Sequence, residues 1–291
     1  MRDRIFDLET GDSPLVALAL HDGHAVRGEV ARLLAVTDEE RLREEDPFTA
    51  EWVGLAPIRV VGTRSRFEVD LNRPAERAIY RSSEEAWGLE VWRQDLPTAV
   101  SDRSLAQRAV FYEAMEKLFT DLAERYSAFV LFDLHTYNHR RGGPGQPAAP
   151  VAENPQIDVG TFLGHRDRWA SLIERFAADL RNFDFPGGSL DVRENVRFPI
   201  GPFAKWAHER FPGRVCALSI EVKKFFMDEW TGVADRELLC AVGEALASTV
   251  PGVLEELERF EVVRPVDDEV ALALRSREPP MLHGLPAATR L

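Results

Sequence analysis

Apolar positions along the chain gather in short continuous runs separated by longer amphipathic stretches. Residues 13–20 (SPLVALAL), 128–134 (AFVLFDL) and 215–222 (VCALSIEV) are apolar almost throughout, the pattern of strands buried on both faces. A short β-branched run at 58–61 and a weaker one at 190–196 predict two more strands. Helical spacing appears over 101–126, where Leu105, Ala109, Phe111, Leu118 and Leu122 share a side. The segments 166–180, 203–210, 236–250 and, after Pro251, 252–260 repeat that spacing. Residues 64–74 (RSRFEVDLNRP) alternate and read as a short strand running into a turn.

Buried strands alternating with helices predict an α/β protein whose largely parallel sheet is covered on both faces. Ligands of such sheets sit beyond the carboxyl ends of the strands, so the residue after each strand is where chemistry is expected. Residues 140–150 (RRGGPGQPAAP) form a Gly/Pro-rich loop long enough to be a lid. The loop lacks the Gly-Lys-Ser/Thr ending of a phosphate loop, which argues against nucleotide binding. No internal repeat is present, and the tail after Val263 has no convincing period.

The length, 291 residues, fits a single domain over 1–291, with a catalytic core at about 13–260 and a C-terminal extension at 261–291. A net charge of −13 without a dense Lys/Arg block argues against a nucleic-acid partner. No apolar run reaches the roughly 20 residues that span a bilayer, so no membrane is expected. The charged start, Met1-Arg2-Asp3-Arg4, does not read as a signal peptide. A cytoplasmic location and a small-molecule substrate are the expectations. Cys216 and Cys240 are too far apart for a Cys-rich zinc site, and Cys216 reads as a small core residue.

The first buried run ends before His21-Asp22-Gly23-His24, where Gly23 is expected to permit a tight turn that aims His21. A second run ends in Asp133-Leu134-His135. Two histidines at equivalent strand ends suit a divalent metal, which commonly takes one carboxylate as well and keeps a position open for water. Glu44, Glu45 and Asp46 offer that carboxylate, or else form a solvated acidic loop. Arg66 and Arg73 suit a substrate carboxylate or a polarised carbonyl, with Asn72 as a neutral donor. The plainer reading pairs these arginines with Glu68 or Asp70. Glu221 lies in an apolar strand, where it needs a partner such as Lys223 or Lys224, or else acts as a general base with raised proton affinity.

Together these pieces resemble the N-formylglutamate amidohydrolase family, which is similar in turn to zinc carboxypeptidases and to the aspartoacylase/succinylglutamate desuccinylase group. The resemblance rests on His21-Asp22-Gly23, residues 65–73 (SRFEVDLNR), Asp133-Leu134-His135 and residues 221–232 (EVKKFFMDEWTG), in that order. It implies a zinc-carboxypeptidase-like three-layer α/β/α fold with a mixed, largely parallel sheet and one zinc ion. The implied metal ligands are His21, His135 and a carboxylate at 45–46, with Asp46 preferred to Glu45. Glu221 would activate water and Arg66 would polarise the scissile carbonyl. Asn72 and Arg73 would grip the substrate carboxylate, and the substrate would be N-formylglutamate or something like it.

This chain departs from the family pattern around the metal and the pocket. Asp22 stands where Ser is usual and is followed by an extra His24, Thr136-Tyr137 replaces Ser-Met, and Lys223-Lys224 replaces Asn-Arg. The alternatives are a zinc carboxypeptidase or deacylase acting on another N-acyl amino acid or short peptide, or a non-catalytic ligand-binding relative, which would be expected to lack Glu221 or an arginine of the set. Manganese and cobalt accept the same donors as zinc.

Overall fold

Seven strands make one mixed sheet in the order β1-β3-β2-β4-β7-β5-β6 in this computed structural model, which describes residues 4–262. The strands are β1 (Phe6–Glu9), β2 (Leu15–Ala19), β3 (Ile58–Gly62), β4 (Phe129–Tyr137), β5 (Ile157–Gly160), β6 (Val192–Glu194) and β7 (Val215–Lys223). β3, β2, β4 and β7 are parallel to one another. β1 runs antiparallel to β3, and β5 antiparallel to β7 with β6 parallel beside it. The expected C-terminal extension lies, from 263 onward, outside the described residues.

The continuous apolar runs are explained by the two covered faces. In β4, Val130, Phe132 and Leu134 enter one core while Phe129 and Leu131 enter the other. β7 divides in the same way between Cys216, Leu218, Ile220 and Val222 on one face and Val215 and Ala217 on the other. Among the described residues, eight α-helices accompany the sheet: α1 (Gly28–Ala31), α2 (Asp38–Glu44), α3 (Thr49–Trp52), α4 (Thr98–Arg125), α5 (Ala170–Asn182), α6 (Pro202–Arg210), α7 (Arg236–Ser248) and α8 (Val250–Val262). Helices α5, α7 and α8 cover the first face with Leu172, Phe176, Val242, Leu246 and Val253. The second face is covered by α4 and α6 with Phe111, Met115, Phe119 and Phe203. Each such side chain taken from water is worth about 1.5–3 kcal/mol.

The stretch Arg236–Phe260 is long and apolar enough to cross a bilayer by length and composition, contrary to the expectation that no run approaches that size. It consists of two helices, α7 and α8, whose Val242, Ala245, Leu246 and Val253 are fully buried against the sheet. The core therefore accounts for their apolar character.

Residues 64–74 form no strand. Phe67, Glu68, Val69, Asp70 and Leu71 are all buried, so the alternation has no solvent face. Glu68 receives Arg27 Nε at 2.8 Å, and Asp70 is held by Tyr80 and Arg66. Phe67 and Tyr80 join Val30, Leu34 and Val91 in a small third core that fixes this irregular segment beside the sheet.

Candidate metal centre and active site

The site lies at the carboxyl ends of β2, β4 and β7. β2 ends at Ala19, and the chain runs on through His21 alongside the end of β3, where Ala25 bridges Arg64 in parallel. A Cβ at Gly23 would lie 2.4 Å from the Thr63 carbonyl carbon, and one at Gly62 would lie 2.2 Å from the Leu20 oxygen. Gly23 is therefore required for close approach. It does not adopt a left-handed conformation, so the expected tight turn is not its role. β4 continues to Tyr137, which places His135 inside the strand rather than after it.

His21 and His135 converge on one oxygen. Their Nδ1 atoms lie 3.1 and 3.0 Å from Asp46 Oδ2. His21 Nε2 faces Asp70 Oδ1 at 2.7 Å, and His135 Nε2 faces Asp133 Oδ1 at 3.1 Å. One ligand atom from each of His21, Asp46 and His135 lies within 4.8 Å of the others. Two imidazoles and a carboxylate are a catalytic zinc donor set. Carboxylates on the far nitrogens fix the tautomer that turns each Nδ1 lone pair inward, so the residues present fit a metal ion. Burial pushes Asp46 up, but the hydrogen bonds to His135 and His21 outweigh it and hold the carboxyl well below the usual range. Burial pulls His135 down, but Asp133 and Asp46 outweigh it and hold the imidazole well above its ordinary value.

Asp46 reaches the centre because α2 stops just before it. The capping box of Thr37 and Glu40 starts the helix. At its other end, Lys224 Nζ donates to the carbonyls of Arg43 (2.6 Å) and Glu45 (2.8 Å), a cation placed where the helix dipole favours one. Thr136 Oγ1 donates to Asp46 Oδ1 at 3.1 Å. Two residues on, Phe48 has φ 74°, a left-handed conformation that a bulky residue keeps only where its surroundings impose it. Asp22 Oδ1 accepts Ala50 N at 3.0 Å and ties this corner to the His21 turn. Glu45 is used elsewhere: His24 Nδ1 lies 2.6 Å from Oε2, and Ser65 Oγ donates to Oε1.

Glu221 stands in register with His135 on the neighbouring strand and lines the same cavity, which has a volume of about 280 Å³. Burial pushes its carboxyl up to about 8, with nearby Asp46 and Asp133 acting in the same direction and His135 opposing. Neither lysine pairs with it, since Lys223 Nζ donates to Asn154 O at 2.9 Å and Lys224 to the two carbonyls above. Arg66 donates to Tyr80 Oη at 2.8 Å and to Asp70 Oδ2 at 2.9 Å, so its expected pairing with Asp70 is present. Arg73 contacts Asp70 at 3.6 Å and donates to Glu85 O, while its buried Nη1 has no hydrogen-bond partner. Asn72 Oδ1 accepts Phe203 N at 2.8 Å, and its Nδ2 lies 3.3 Å from His135 Nε2. All of His21, Asp46, Arg66, Asn72, Arg73, His135 and Glu221 line the one cavity.

Sequence reasoning assigned no role to Asp133, although its signal was available. It is a carboxylate inside an apolar run, two residues before His135 and so on the same face of the strand. Trp87 and the Glu44–Arg141 pair also line the cavity; Glu44 stands among the candidate carboxylates and Arg141 in the Gly/Pro-rich loop, while no local pattern marks Trp87.

The sequence profile of the N-formylglutamate amidohydrolase family matches residues 13–227. Among solved structures, the chain is similar to N-formylglutamate amidohydrolase from Ralstonia eutropha JMP134, at 17% identity and a TM-score of 0.68, over 87% of this chain and 98% of that one. It is similar also to a gene product of Agrobacterium tumefaciens, at 15% identity and a TM-score of 0.61, over 88% of this chain and 97% of that one. No curated protein matches significantly. The two structural likenesses bear on the fold.

Proposed function

The chain belongs to the N-formylglutamate amidohydrolase family, and from that premise we propose that it is a zinc-dependent hydrolase that cleaves the N-acyl amide of an N-acyl amino acid. The observation that carries this reading is the lining of one cavity by the His21, Asp46 and His135 cluster together with Glu221. A metal ion held by those three side chains would supply a Lewis acid for the scissile carbonyl and lower the proton affinity of water. Glu221 takes a proton from the attacking water and returns it to the departing amine nitrogen, so that water and amide become carboxylate and amine. A carboxyl group poised near 8 rather than in its usual range suits both transfers. Arg66, held by Tyr80 and Asp70, donates toward the carbonyl oxygen as charge develops there. Asn72 and the free Nη1 of Arg73 hold the substrate carboxylate and fix its orientation.

The test combines elemental analysis of protein purified without chelators with an assay of carboxylate release from N-formyl and N-acetyl amino acids. Glu221→Gln is expected to retain the metal and lose about 100-fold or more in kcat, whereas His135→Ala is expected to lose the metal. Near-wild-type turnover by Glu221→Gln would overturn the role of Glu221.

A further inference from the structure

We propose that the cavity selects a monocarboxylate, an N-acyl amino acid with an apolar or aromatic side chain, over a dicarboxylate such as an N-acyl glutamate. This names the substrate class of the site described above and rests on the amidohydrolase reading.

The first support is a count of the anion grips. A dicarboxylate needs two, one for each carboxylate, because a buried charge without a partner is costly. Arg66 is tied to Asp70 and Tyr80. Arg141 is held in a fork by Glu44, with Nη1 to Oε1 at 3.1 Å and Nη2 to Oε2 at 2.9 Å. Lys224 is anchored by two backbone carbonyls. Arg73 alone among these cavity-lining cations has a buried N–H group without a hydrogen-bond partner. One carboxylate is thus provided for. A second would meet Glu44, a buried carboxylate that lines the cavity and already occupies the fork of Arg141.

The second support is the opposite chemistry of the remaining wall. Trp87, Tyr137, Phe198, Pro199, Ile200 and Pro202 line the same cavity. Tyr137 and Phe198 pack edge to face, with ring centroids 5.3 Å apart. The indole of Trp87 stacks on Arg66 at 4.7 Å yet stays 39% exposed. Its backbone adopts φ 55°, an unfavourable conformation for so large a residue. Backbone strain that holds an exposed aromatic at the cavity edge is the arrangement of a ligand wall.

Calorimetric titration of the zinc-loaded Glu221→Gln protein with N-formyl-L-phenylalanine and N-formyl-L-glutamate tests the inference, alongside hydrolysis of both by the wild type. The phenylalanine compound is expected to bind about tenfold tighter or more. Trp87→Ala should weaken that compound alone, and Glu44→Gln, by releasing Arg141, should raise the affinity for the glutamate compound. Equal or tighter binding of the glutamate compound, or binding of neither, overturns the proposal, as does an unchanged ratio in both variants. Tighter binding of the phenylalanine compound without hydrolysis of either compound by the wild type sustains the preference and sinks the amidohydrolase reading.

Discussion

Both imidazoles at the centre are used at both ring nitrogens, the inner one toward Asp46 and the outer one toward Asp70 or Asp133. Asp133 is fully buried, faces His135 Nε2 at 3.1 Å, and has no other hydrogen-bond donor on its oxygens. Asp133→Asn should therefore lower metal affinity about tenfold or more, read by competition with a chromophoric chelator, with the circular dichroism unchanged. Unaltered affinity would show that Asp133 does not orient the ligand. The two histidines were legible in the sequence because each follows or ends an apolar run in which a polar residue needs a reason. The choice between Glu45 and Asp46 was not legible. Both are carboxylates, one residue apart, and what separates them is tertiary: His24 and Ser65 engage Glu45, while Thr136 steadies Asp46.

β2, β4, β7 and α4 were legible because covering both faces of a parallel sheet requires continuous apolar runs, and a long helix repeats its spacing many times. β1 and β5, of four residues each, are too short to show a period. β5 also carries the buried Asp158, whose carboxylate accepts the N–H groups of Val196, Arg197 and Phe198. Residues 64–74 misled for a related reason: the buried Asp70 and Glu68 mimic the solvent face of a strand. β4 carries the heaviest packing load beside the site, with Phe132 fully buried and edge-on to Phe176 at 5.1 Å. Phe132→Ala should cost about 3–5 kcal/mol, measured by urea denaturation. A cost below about 1 kcal/mol would mean that this face of the sheet closes around the gap.

For the whole molecule, the raised carboxyl of Glu221 is a stability term with a definite sign. Unfolded, Glu221 ionises near 4.3, and folded without metal it ionises near 8. Below both values it is protonated in either state and costs nothing. Between them the folded protein retains a proton that the unfolded chain has released, so stability falls as pH rises and the loss is complete above about 8. Chelator-treated Glu221→Gln should lack this slope, becoming progressively more stable than chelator-treated wild type from about pH 5 to pH 8 in thermal denaturation. Parallel curves for the two proteins would place Glu221 in a wetter setting. The single Asp46 oxygen shared by two imidazoles has a different consequence. In the metal-free protein, Asp133 and Asp46 favour a hydrogen ion on His135. Loading the centre is then an exchange of one positive guest for another. Acid is therefore a competitor for the seat, and the contact between His135 and Asp46 helps set the acidity at which the metal is released.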